Sequence, residues 1–137
     1  MVNTVLKLFS WVLYFLGGCV TTFIHEGSHA VTTYLAGSKV YEFRPYPGQN
    51  GGAWLLGWII VDRWPNSNRS IQLIYIAPLI AALFFCPVFL LLGIFVWKYF
   101  LVLAFLELLD VVLWIYDYFR GVEYTDAQRF RYYGRIK

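Results

Sequence analysis

The chain has 137 residues, of which 60% are hydrophobic, 21% aromatic and only 14% charged, against about 45–50% apolar and about 25% charged in soluble domains. One soluble core of this size could not hide that apolar excess, so composition argues against a water-soluble enzyme and for a chain embedded in a lipid bilayer. The net charge of +3 comes from basic residues flanking apolar runs; without a dense basic stripe it argues against nucleic-acid binding and reads as membrane topology.

The first segment, 5–36, joins the apolar stretch LFSWVLYFLGGCVTTFI to HEGSHAVTTYLAG and stops at Gly37. Roughly 30 helical residues cross a hydrocarbon core of about 30 Å with a wet end to spare. Lys7 followed by Leu8 to Leu16 resembles a secretory leader, and Leu16-Gly17-Gly18-Cys19 resembles a lipoprotein cleavage box. Apolar character continues through Val20 to Ile24, however, so a retained helix is expected. Cys19 and Cys86 sit in apolar runs and read as small buried hydrophobes.

Segment 38–70 is richer in proline and glycine. Val40 to Phe43 alternates like a strand, Trp54 to Val61 reads as a second, and Pro47-Gly48, Asn50-Gly51-Gly52 and Pro65-Asn66-Ser67-Asn68 are turn signals. A small hairpin is expected.

Two apolar spans follow, 71–96 and 99–119, with a turn near Trp97-Lys98. Pro78 and Pro87 are expected to kink the first of them. Residues 121–137 read as a polar, solvated tail. Lys39, Arg44, Arg63 and Arg69 fill the loop after the first span, and Arg120, Arg129, Arg131, Arg135 and Lys137 crowd the tail, while Lys7 and Lys98 stand alone at the other ends. This asymmetry predicts a multi-pass integral membrane protein with its N-terminus outside and C-terminus cytoplasmic. The expected fold class is membrane α-helical: three transmembrane helices with a small β-hairpin or sheet between the first and second.

The chemistry concentrates in His25-Glu26-Gly27-Ser28-His29. Histidines four apart on a helix share one face and can meet one metal ion. They are also the only histidines of the chain, and they interrupt a largely apolar segment, where ionisable groups are costly. Zinc lowers the pKa of a bound water towards 7, and Glu26, beside His25, is positioned as the catalytic base that takes its proton. Haem is disfavoured, because two side chains on one helical face cannot take opposite axial positions.

Two histidines leave one Zn(2+) ion short of a protein ligand. The candidates are acids of the last span: Asp110 first, as the deepest aspartate, then Asp117, then Glu107, which could instead support a ligand by hydrogen bonding. Counting inward from the outer side leaves Asp110 shallow relative to the histidines, whereas Asp117 lies nearer their depth.

The stretch FIHEGSHAVTTYLAGSKV resembles the site-2 protease (M50) family of intramembrane zinc metalloproteases in its apolar lead-in, His25, Glu26, His29, Ala30, and Gly37 before a strand-like VYEF. The resemblance implies three core helices with the metal motif in the first and an aspartate in the third, a short sheet between the first two, and cleavage of membrane-embedded protein or peptide substrates. In that family an asparagine and prolines lead into Leu-Asp-Gly on the third helix. Here Glu107-Leu108-Leu109-Asp110-Val111-Val112 has neither the prolines nor the glycine, which implies a divergent or minimal member. The alternative is a catalytically inactive metal-binding or structural membrane protein.

Overall fold

A computed structural model describes the backbone of residues 2–50, 53–121 and 125–135. Four helices and a small antiparallel sheet region follow one another: α1 (Val2–Leu35), β1 (Val40–Arg44), β2 (Gly48–Asn50), β3 (Ala53–Leu55), β4 (Trp58–Val61), α2 (Asn68–Phe95), α3 (Phe100–Arg120) and α4 (Asp126–Arg135).

α1 ends where glycine permits it to end. Gly37 has φ +82°, its amide bonds the Tyr34 carbonyl at 3.0 Å, and the Ser38 amide bonds Thr33 at 3.1 Å. This paired closure satisfies the last carbonyls of the helix and turns the chain into β1. β1 then pairs antiparallel with β4, with an irregularity between Val40 and Glu42, and β2 pairs with β3 beyond it. The result is one hairpin interrupted around Pro45 and Pro47, neither of which can donate to a ladder. The expected turn residues Gly51 and Gly52 lie outside the described residues.

α2 and α3 pack against each other and both against α1. They are joined by a tight turn in which the amides of Phe100 and Leu101 bond the carbonyls of Trp97 and Lys98, at the place the sequence indicates. α2 continues through Pro78 and Pro87. Its 28 residues are long and apolar enough to cross a membrane, and among the described residues it is the one helix that meets this test. The expectation of three such spans is therefore met at one helix by length and hydropathy alone. α3 falls short because Glu107, Asp110 and Asp117 interrupt its apolar run.

The packing is inside out relative to a soluble domain. Phe84, Phe95, Phe105 and Phe119 point outward and are mostly exposed, while Glu107 and His29 are buried. Exposed apolar surface on this scale marks contact with a non-aqueous partner.

The tail departs from the solvated extension read from the sequence. It folds into α4, which packs on α2 and α3. Thr125 and Gln128 explain its start: the Gln128 amide bonds the Thr125 hydroxyl at 3.4 Å and the Arg129 amide bonds the Thr125 carbonyl at 3.0 Å, the capping pattern Thr-x-x-Gln.

Replacing Gly37 by Val forces a β-branched side chain into the left-handed region and should cost about 1–2 kcal/mol. Thermal unfolding in detergent should show a lower midpoint for Gly37→Val, whereas Gly18→Ala, within helix α1 where no neighbouring atom approaches, should leave it unchanged or raise it.

Candidate metal centre

One helical turn of α1 presents His25 and His29 on the same side, with ring centroids 5.2 Å apart. Each imidazole is held from behind through Nδ1. His25 Nδ1 lies 3.0 Å from Oδ2 of Asp110 on α3, and His29 Nδ1 lies 2.8 Å from the main-chain carbonyl of Ile74 on α2. A carboxylate and a carbonyl only accept, so both Nδ1 atoms are the donors. In a neutral imidazole that leaves Nε2 as a lone pair.

Both Nε2 atoms converge on one carboxylate oxygen. Nε2 of His25 and of His29 lie 3.1 and 2.9 Å from the same oxygen, Oδ2 of Asp126. Burial alone would raise the Asp126 carboxyl, but its hydrogen bonds and charge interactions with the two imidazoles outweigh that and hold it well below the usual carboxylate range. Asp126 thus meets them as an anion. Those hydrogen bonds require protons on Nε2, so without a metal the rings hold the carboxylate as imidazolium donors; with both rings neutral three acceptors face one another, and one cation satisfies all three in the protons' place. The three donor atoms lie within 4.8 Å of one another. A tetrahedral zinc with bonds of about 2.0–2.2 Å separates its ligand atoms by roughly 3.3–3.5 Å. The two nitrogen–oxygen pairs, at 3.1 and 2.9 Å, would open slightly to take a small ion.

Asp126, and not Asp110, closes this trio. Asp110 sits on the far nitrogen of His25, where it sets tautomer and ring orientation. Asp110 is not shallow relative to the histidines, contrary to the expectation from the outer side: His25 and Asp110 each lie ten residues before the last residue of their helices, Leu35 and Arg120, and so share a level. Asp117 is not brought to the imidazoles. Its main-chain carbonyl accepts from the Gln128 side chain at 2.9 Å, which helps seat α4. Glu107 is buried inside the bundle, with Oε1 lacking a partner among the described residues, and it bonds neither imidazole.

The signal for Asp126 was present but local. Thr125-Asp126-Ala127-Gln128 is a capping pattern, and Ala127, Phe130 and Tyr133 recur at helical spacing. Tyr75 of α2 receives this helix: Arg129 Nη1 donates to the Tyr75 hydroxyl at 2.9 Å and the Tyr133 ring stacks on Tyr75 at 6.1 Å.

Glu26 lies beside the trio under the hairpin. A Cβ on Gly57, the residue before β4, would come within 2.7 Å of Glu26 Cγ and 2.8 Å of Thr22 Cγ2. Only glycine lets the hairpin approach α1 so closely. Phe43 adds an edge-on contact to Phe23 at 5.4 Å.

The sequence profile of a family described as Peptidase M50B-like matches residues 2–127. The chain belongs to that family, and so to the M50 site-2 protease group. The matched stretch takes in α1 to α3 and the first two residues of α4, Asp126 and Ala127. M50 members are integral membrane proteins, in keeping with the apolar exterior. No curated protein and no solved structure matches the chain.

Zinc titration in detergent against a competing chelator should separate the three aspartates. Asp126→Ala should abolish high-affinity binding, Asp110→Ala should weaken it about 10–100-fold through loss of His25 orientation, and Asp117→Asn should leave it unchanged.

Proposed function

We propose that this M50B-like protein is a zinc-dependent intramembrane endopeptidase in which His25, His29 and Asp126 hold one Zn(2+) ion and Glu26 is the catalytic base. The observation that carries the reading is the meeting of two Nε2 atoms and one carboxylate oxygen at 3.1 and 2.9 Å. When bound, zinc supplies the Lewis acidity that makes water nucleophilic near neutral pH.

The chain's own residues supply the rest. Asp110 and the Ile74 carbonyl keep the Nδ1 protons in place, so both Nε2 atoms stay available. Glu26, next to His25 on the helix, takes a proton from the attacking water at its carboxylate and returns it to the leaving nitrogen. An apolar cleft of about 960 Å³ between α1 and α2 runs past Gly27 and Ser28 and is lined by Phe23, Val31, Leu73 and Ile80. Its chemistry suits an apolar segment of a membrane protein or peptide as substrate.

We read α1 and α3 as crossing the bilayer beside α2. Their outward faces support this, with Phe15, Phe23, Phe105 and Val112 exposed. Of the ionisable groups that disqualify α3 on hydropathy, Glu107 is buried in the bundle and Asp110 meets His25, places where polar groups are tolerated in lipid. Lys39, Arg63, Arg69, Arg120 and the arginines of α4 follow or precede the helix ends on the hairpin side, which supports a cytoplasmic C-terminus.

Purified protein should contain one zinc per chain. His25→Ala should lose it, while Glu26→Gln should keep it and lower hydrolysis of a reconstituted transmembrane peptide by about 10²–10⁴-fold. Well-folded protein without zinc after metal reconstitution would refute the metal centre. Zinc-loaded protein whose hydrolysis is indifferent to Glu26→Gln would leave a metal-binding protein without this mechanism. Gly57→Ala should keep zinc but reduce turnover, because the added methyl must displace either Glu26 or the hairpin.

A further inference from the structure

The carbonyl that holds His29 is special in one respect. In an α-helix the carbonyl of residue i accepts from the amide of residue i+4. For Ile74 that residue is Pro78, which has no amide proton. Pro78 lies inside α2 and is fully buried against the bundle. The Ile74 carbonyl is therefore released from the helical ladder within a single turn of the site, in surroundings where a main-chain acceptor left without a partner is costly. His29 Nδ1 donates to that oxygen at 2.8 Å, a buried hydrogen bond.

We propose that Pro78 is a positioning residue for the metal centre: by withholding one amide proton it frees the Ile74 carbonyl to hold His29 as the Nδ1–H tautomer, with Nε2 directed at Asp126. Asp110 performs the same task for His25 with a side chain. For His29 the task falls to the main chain, and the sequence change that makes it possible sits 49 residues away, on another helix. An alanine at 78 would restore the missing amide. The Ile74 carbonyl would then swing back along the axis of α2 to accept it, and His29 would lose its partner or share it.

Pro87 supplies an internal control. It leaves the Leu83 carbonyl without its helical amide in the same way, but it is exposed and lies two turns and more beyond the site. Any general effect of restoring an amide inside α2 appears in both variants, and an effect on His29 in one alone.

This inference rests on the zinc reading of the trio, and the experiment keeps the two apart. Zinc affinity is measured by chelator competition for wild type, Pro78→Ala and Pro87→Ala in detergent. The His29 tautomer in metal-free protein is read from imidazole nitrogen resonances. Wild type is expected to show a protected Nδ1 proton on His29. Pro78→Ala should lose that protection and bind zinc about tenfold more weakly, the scale on which groups supporting a metal ligand act, and Pro87→Ala should match wild type in both. Unchanged affinity and tautomer in Pro78→Ala, or an equal loss in Pro87→Ala, overturns the proposal. If Pro78→Ala does not fold, the wild-type resonance decides: an unprotected His29 Nδ1, or a proton on Nε2 alone, overturns it. A wild type with a protected Nδ1 proton but no zinc affinity refutes the metal centre and leaves the role of Pro78 in setting the tautomer standing.

Discussion

A neutral imidazole that donates from one nitrogen accepts at the other, and this rule organises the centre of the molecule. Asp110 and the Ile74 carbonyl take the Nδ1 protons of His25 and His29. Once they do, both Nε2 atoms are directed at the same small volume, and the oxygen already waiting there belongs to a carboxylate. Each of α1, α2, α3 and α4 contributes one part of that arrangement. The packing of the bundle is in this sense the packing of a donor set, and any helix that shifted by a turn would break it.

The surrounding chain supplies an environment in which such a set is worth having. Large apolar side chains face outward along α2 and α3, and the polar groups face in. In lipid an isolated charge is expensive, so acids and imidazoles persist there when they satisfy one another or an ion. Glu107 is the exception within the described residues: it is buried and its Oε1 has no partner, and nothing in the geometry of the trio uses it. The hairpin contributes from the other side. Gly57 allows it to rest directly on Glu26, so main chain packs against the proposed base.

The helix that carries Asp126 is unlike the other three. It has ten residues, fewer than an isolated helix needs for stability in water, and it is held by contacts from neighbours: the Arg129 and Tyr133 contacts to Tyr75, and the bond from Gln128 to the Asp117 carbonyl. A metal bound to Asp126 and the two histidines would tie this short helix to the bundle, since binding energy at a site shared between elements is also folding energy.

Much of this was legible in the residues themselves. The helical periodicity of a four-residue spacing places His25 and His29 on one face whatever the rest of the chain does. Gly37 can end α1 in a left-handed turn because it lacks a Cβ, and the strand alternation after it gives the hairpin. The apolar run of α2 and the turn near Trp97 also follow from local composition. The partners of the histidines did not, because each depends on how separate elements align. Asp110 was singled out by its depth, yet which nitrogen it meets is a matter of helix rotation. Asp126 lies in a stretch of Arg and Tyr whose polarity reads as solvent-facing, and only the docking of α4 turns it inward. The role of the Ile74 carbonyl is a main-chain property that no side-chain motif announces. Local sequence determined which residues share a helical face; tertiary packing decided which atoms face them, because that distance is set by contacts between residues up to about a hundred positions apart.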